Sequence, residues 1–565
     1  MQYHRHLSRS VVLTLSLLCG CAAAGPSETA GAIPDSGVYG LYLSGRFAAS
    51  QTDLDQAARD LLAVHADRPQ NSEVLQLTFL TCLMAGRPEA SSLALQLPDN
   101  PAAQLLLGDN DALAGNWDGA EERFHAMSRQ GLAELLQPLL VAWAQQGGGH
   151  TDAALATLAP FMDGPRFRGV YALHAALIAD LGNHQVDAAK LYRAAQGEYG
   201  GLNMRLAVIL ASWEFRQNQP AEAAQTLKAL GDASSDLAMV VPGLVSGAGQ
   251  RPVANAVDGI AEAYLALAAA LRQQDAADSA LLLLQLALGM RPDFTPARLL
   301  MADILDSGRH TANALRVLAP VGATDALLPL VQLRRAALQE QLGNTEAAMR
   351  ILDDLARDFP EQPTPLAQLG DILRARSRFA EAAAVYDRAI ARIPTPGPND
   401  WPLFYDRGIA LERSKQWPKA EADFEHALQL APDQPYVLNY LGYSWAEQGR
   451  NLGRAHQMIE RALQIRPNDG SIIDSLGWVQ LRQGETSDAV QQLEHAVELE
   501  PEDSTINGHL GDAYWAAGRH LEAEFQWRRA LTLNPDPADI PSLQSKLHEA
   551  ETASSTPASA ERRVQ

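Results

Sequence analysis

The stretch that decides the fold reads SIIDSLGWVQLRQGETSDAVQQLEHAVELEP over residues 471–501 and is followed by STINGHLGDAYWAAGRHLEAEFQWRRALTLNP over 504–535. The two align without a gap. Leu-Gly falls at 476–477 and 510–511, Ala at 489 and 523, a second Ala at 496 and 530, and Pro at 501 and 535. Working outward, the glycine recurs at Gly370, Gly408, Gly442, Gly477 and Gly511, spaced by 38, 34, 35 and 34 residues. The alanines recur as Ala382/Ala389, Ala420/Ala427, Ala455/Ala462, Ala489/Ala496 and Ala523/Ala530. Each copy stops at a proline: Pro394, Pro432, Pro467, Pro501 and Pro535. Self-similarity at this period predicts a stack of identical supersecondary units.

Within a unit the spacing gives two helices. The first carries Leu-Gly. The second carries Ala-x3-large-x2-Ala, the large residue being Tyr386, Phe424, Ile459, Leu493 or Trp527, all on one helical face. The proline lacks an N–H and disfavours helix in the residue before it, so the unit ends there. Gly449, Gly484 and Gly518 mark the turn between helices. One turn is a residue longer, which accounts for the 35-residue spacing, and the insert TPGPND (395–400) accounts for the 38.

These residues resemble the tetratricopeptide repeat. The expected fold is all-α, a superhelical solenoid of about 12–14 helix pairs. Five regular units cover 363–537. The same phase is traceable upstream in Leu41, Gly45, Ala57, Leu61 and Pro69; in Leu107, Gly108, Gly115, Ala120 and Phe124; and in Ala268, Ala280, Leu284, Ala287 and Pro292. Degenerate repeats are therefore expected over 38–231 and 259–362, with further helix pairs between the traceable ones. The Gly- and Pro-containing stretch 232–258 reads as an irregular loop. A capping helix is expected over 538–550, and the Ser/Thr/Pro/Ala-rich tail 551–565 reads as disordered.

At the N-terminus, Arg5 and Arg9 precede an apolar run, Val11 to Leu18, too short to span a bilayer. It ends in Leu18-Cys19-Gly20-Cys21, which resembles a bacterial lipobox. The resemblance implies a signal peptide over 1–20, lipidation of Cys21, a flexible tether over 21–37 and, with Ala22 rather than aspartate next, a place on the periplasmic side of the outer membrane. Acyl chains anchor by roughly 0.8 kcal/mol per buried CH₂. Of the three cysteines only Cys82 would then remain, in a helical run, as a small buried hydrophobe.

Hydrophobic content is 47% and aromatic content 6%, as suits many small interfaces instead of one large core. The net charge of −22 repels nucleic acid and anionic surfaces and favours cationic partners. HExxH, GxSxG, P-loop and CxxC motifs are absent, and histidines are scattered singly. No enzyme activity, cofactor or metal is expected.

In the family the unit resembles, the first helix of each pair lines the concave face. Carried onto this sequence, that implies a groove for proteins or extended peptides formed by Tyr405, Arg413, Tyr436, Asn439, Tyr443, Asp474, Trp478, Arg482, Asp512 and Trp515, with Glu412 and Glu447 beside them. Tyr, Trp and Arg dominate interface energetics. Trp445 and Trp527 fall at core positions. Arg374, Arg413 and Arg482 could partly replace the Lys-rich carboxylate clamp of some family members. Signal, lipobox and repeat array together resemble adaptor lipoproteins of periplasmic carboxyl-terminal processing proteases, which implies a non-enzymatic scaffold that presents cell-wall hydrolases to a protease. An assembly factor for an envelope machine, or a repeat-containing glycosyltransferase, are the alternatives.

Overall fold

The structure, a computed structural model, describes residues 37–127, 131–164, 167–198 and 203–555. The expected leader, Cys21 and the tether before Gly37 lie outside these residues, as does 556–565. Among the described residues there are 31 α-helices, one 3₁₀ turn and no strand. No helix among them is long and apolar enough to cross a membrane.

The chain divides into two compact units, Met1–Pro98 and Asp99–Gln565. The first holds two helix pairs, Val38–Ser50 with Leu54–Asp67 and Ser72–Met84 with Glu89–Ala94. The second holds twelve further pairs and the closing helix Ile540–Ser555. The sequence places one N-terminal array over 38–231, whereas the structure divides that span after Pro98. The preceding helix has only six residues, and Pro98 lies close behind it, unable to continue the ladder. The closing helix runs five residues beyond the expected 550, into the stretch read as disordered tail.

All fourteen pairs turn on a residue of positive φ. It is glycine in half of them, as at Gly484 (φ 85°), where the absence of Cβ makes the left-handed region accessible without penalty. Elsewhere the same point is held by Thr52, Asn183, Asn218, Asp275, Arg309, Ser377 or Lys415, in a conformation that costs an L-residue about 1–2 kcal/mol. The longer turn of the third regular unit contains two such residues, Gly449 and Asn451, and this absorbs its extra residue.

A second constraint recurs with the turn. A small residue on the first helix faces a large one sixteen residues later on the second, or seventeen where the turn is longer. A Cβ on Gly477 would lie 2.6 Å from Leu493 Cγ, and one on Gly511 2.5 Å from Trp527 Cδ1. Upstream the pair becomes Gly108/Phe124, Ala176/Tyr192, Ala211/Leu227 or Ala336/Leu352, and all of these side chains are buried. Trp445 and Trp527 are buried as expected, each donating its Nε1–H to a carboxylate, Glu421 or Asp512. Cys82 is fully buried, and burial pushes its thiol up to about 11.

The stretch 232–258 departs from the irregular loop read in the sequence. It contains the short helices Ser235–Ala238 and Val241–Gly247. Met239 and Val240, between them, are buried, and Met239 packs with Leu333 and Ala336. That anchorage orders a segment whose composition alone gives no helical period.

Beyond it, helix Ala256–Arg272 pairs with Ala277–Met290 in the ordinary way. Its other side lies against the first helices of four earlier pairs. Tyr264 donates to Asp109 Oδ1 at 2.8 Å, 155 residues away. Gly259 sits so close to the Trp143 indole that a Cβ would come within 2.3 Å of the ring. Glu262 takes a bidentate contact from Arg205 (Nε 2.8 Å, Nη2 2.6 Å), and Glu262 also acts electrostatically on buried His174. Burial lowers the His174 imidazole to about 4, outweighing Glu262. Neutral His174 accepts the Trp143 Nε1–H on Nδ1 at 2.9 Å. The chain's own helix thus packs along the inner face of these pairs and leaves a cavity of about 420 Å³ beside Leu135, Phe167, Leu267 and Leu271.

The docking tolerates no side chain at its closest point. Gly259→Ala is expected to destabilise the protein by about 1–3 kcal/mol in denaturant unfolding. Gly453→Ala, in a helix with open space around the Cβ position, should change stability by less than about 1 kcal/mol. Equal effects would contradict the packing described.

Candidate functional site

In the regular block the first helices are Thr364–Ala375, Trp401–Arg413, Pro435–Glu447, Gly470–Gln483 and Ser504–Ala516. Neighbouring first helices touch one another directly (Thr364–Ala375 with Trp401–Arg413, Pro435–Glu447 with Gly470–Gln483, and the latter with Ser504–Ala516), more closely than successive second helices approach each other. The stack therefore closes toward the first-helix side, and the residues singled out from sequence line that side.

At its upstream end these residues are largely engaged with the fold. Tyr405 is half-buried between Trp401 and Tyr440, with ring centroids 5.9 and 5.8 Å away. Tyr440 donates to Glu412 at 3.3 Å. Tyr436 is exposed and accepts from Arg466 Nη1 at 2.7 Å. Asn439 keeps a buried Oδ1 without a partner among the described residues. Arg413 lies 5.1 Å from the Phe379 ring centroid and 3.6 Å from Asp536. Arg374 reaches both Asp406 (3.4 Å) and Asp371 (3.7 Å). Burial raises both carboxyls; Asp371 also acts on Asp406, and Arg374 only partly offsets the shifts. Two of the three arginines considered for a carboxylate clamp are therefore already matched by acids.

Downstream the groove opens into a cavity of about 240 Å³ lined by Tyr443, Glu447, Trp478, His509, Asp512, Asp539, Leu543 and Lys546 among others. Three successive first helices and the closing helix contribute to it. His509 lies under the Trp478 indole, stacked at 4.2 Å and 19°. Its Nδ1 is 3.0 Å from both oxygens of buried Asp474. Burial alone would depress this imidazole, but the Asp474 charge and hydrogen bond outweigh it and raise its pKa. Asp512 is held by Trp527 Nε1 (2.9 Å) and Lys546 Nζ (2.7 Å). The Arg482 guanidinium lies 5.9 Å from the Trp478 ring centroid.

The structure thus brings Tyr443, Trp478 and Asp512 into the lining of one cavity, with Asp474 bonded to His509 and Arg482 beside the Trp478 ring. Trp515 stands apart from its lining and packs on Trp527 and His520 with centroids at 5.5 and 4.2 Å. Sequence reasoning missed His509, Asp539 and Lys546. His509 was within reach, since it lies 35 residues after Asp474, one repeat away on the adjacent first helix. Asp539 and Lys546 belong to the closing helix region, which has no repeat register to read.

A second cavity of about 230 Å³ includes Arg205, Arg251, Arg291 and Phe294 in its lining. Its arginines are matched by Glu262, Asp180 and Asp293. No group of three His, Cys, Asp or Glu among the described residues could hold a metal.

Family models of the tetratricopeptide repeat match residues 333–397, 401–434 and 475–538. The sequence is 28% identical over 190 residues to the TPR repeat-containing protein PA4667 of Pseudomonas aeruginosa, covering 34% of this chain. The match spans 31% of that relative, under a third of its length. Among solved structures, the APC/C hetero-tetramer Cut9–Hcn1 is similar at 15% identity over 91% of this chain and 96% of that one, with a TM-score of 0.37. Yeast Tom70 is similar at 12% identity over 92% and 96%, with a TM-score of 0.33.

The Asp474–His509 pair should show itself in pH dependence. Its folded-state pKa is raised, so its contribution is fully present below the unfolded value near 6.5 and is lost as pH rises through the raised value. Asp474→Asn is expected to destabilise by about 1–3 kcal/mol, with a larger loss at pH 6 than at pH 9 in matched thermal melts. A loss that does not vary with pH would show that the imidazole is not charged in the fold.

Proposed function

We propose that this protein is a non-enzymatic scaffold that holds partner proteins on the inner face of its regular repeat block, at the periplasmic side of a bacterial outer membrane. The observation that carries the reading is the cavity between Tyr443, Trp478 and His509. Trp478, His509 and Asp512 of its lining fall within residues matched by tetratricopeptide-repeat models, and the cavity has room for a ligand. Large side chains on a preformed concave surface suit recognition of a protein segment, because little conformational entropy remains to be lost on binding.

The lipobox-like Leu18-Cys19-Gly20-Cys21 supports a lipid anchor through Cys21. On the resemblance to adaptor lipoproteins, the proposed partners are a carboxyl-terminal processing protease and the cell-wall hydrolases it degrades. The scaffold's contribution would be effective concentration: two partners held on one chain meet far more often than free ones.

Two experiments test this. Tyr443→Ala with Trp478→Ala is expected to abolish capture of a crosslinked envelope partner while circular dichroism stays unchanged. Full capture by the double variant would refute the groove. Separately, Cys21→Ala should move the protein from the membrane to the soluble periplasmic fraction, and retention at the membrane would refute the anchor.

A further inference from the structure

The charges around the downstream cavity do not cancel. Asp474 is matched by His509 and Asp512 by Lys546, and the Arg482 guanidinium stands beside the Trp478 ring, so four carboxylates face three cations. Glu447 and Asp539 line the same cavity and have no hydrogen-bonding or ion-pairing side chain among the described residues. Both act on Tyr443, whose hydroxyl pKa is raised first by burial and then by Glu447, Asp474 and Asp539. Beside them, the Trp478 Nε1–H is buried and lacks an acceptor. A buried donor without a partner is costly, so a bound group that supplies an acceptor gains from it.

Each of these features specifies part of an occupant. Two carboxylates without an ion-paired side chain, beside an aromatic ring, attract a cation, and the ring adds a cation–π contribution. About 240 Å³ is room for one long side chain and the adjoining backbone, not for a folded element. The orphan indole N–H suits a backbone carbonyl next to that side chain. An acidic peptide or a free C-terminal carboxylate would meet repulsion here.

We propose that the cavity takes a lysine or arginine side chain from an extended, cationic segment of the partner. The cation sits between Glu447 and Asp539 over Tyr443, and a backbone carbonyl of the same segment accepts from Trp478. This rests on the groove reading above and adds the chemistry of its ligand.

The test selects binders to the purified full-length chain from a library of random 12-residue peptides and keeps those lost on Tyr443→Ala with Trp478→Ala. The retained peptides are expected to be enriched in Lys or Arg. The double variant Glu447→Gln with Asp539→Asn should weaken them about tenfold, the size of one close charge pair. Replacing the peptide's key Lys or Arg with norleucine should weaken binding similarly, with no further loss when both changes are combined. Retained peptides without basic enrichment, or undiminished by the Glu447/Asp539 variant, would overturn the proposal while leaving the groove intact. If no selected peptide depends on Tyr443 and Trp478, both readings fall together.

Discussion

Everything in this protein depends on how closely two helices of a pair approach. A small residue on the first helix must accept a large side chain from the second, as Gly477 accepts Leu493 and Gly511 accepts Trp527. The left-handed residue at the turn aims the second helix at that contact. Given these two conditions, each pair presents the same faces to its neighbours. Stacking then follows from burial of small interfaces instead of a single core. The condition holds far beyond the regular block, since Gly108/Phe124, Ala176/Tyr192 and Ala336/Leu352 repeat it upstream.

The same geometry produces two different inner faces within the larger unit. Upstream, helix Ala256–Arg272 occupies much of the space, using Gly259 against Trp143 and a buried Tyr264–Asp109 hydrogen bond, and a cavity remains beside Leu267 and Leu271. Downstream, the inner face keeps its cavity. Directional contacts such as Arg205–Glu262 and Tyr264–Asp109 fix where this helix sits, so the self-occupied face is a specific arrangement.

Much of the architecture was legible in sequence because it is local. Gly370 to Gly511 and the alanines that follow them fix helix, turn and face within one repeat. What was not legible is non-local or chemically disguised. The turn recurs upstream at Thr52, Asn183, Asn218 and Asp275, which carry no glycine signature, although each adopts the same φ. The contact between Tyr264 and Asp109 joins residues 155 apart, and no periodicity announces it. At the site, repeat register found Tyr443, Asp474 and Trp478 but also nominated Tyr405 and Trp515, whose rings are engaged in packing. Register gives the face of a helix, while the neighbour's side chain decides whether that face is free.

Acidic composition takes on a location in this structure. Net charge of −22 alone describes a solubility and a long-range preference. Glu447 and Asp539 place carboxylates without an ion-paired side chain beside Tyr443, on the inner face. The central claim is that partners enter by this inner face. It is tested most directly by placing a photo-crosslinking amino acid, in intact cells, at Tyr443 on the inner side and at exposed Gln457 on the second-helix side. A discrete crosslinked protein is expected from position 443 and not from 457. Crosslinking from 457 with none from 443 would contradict the account.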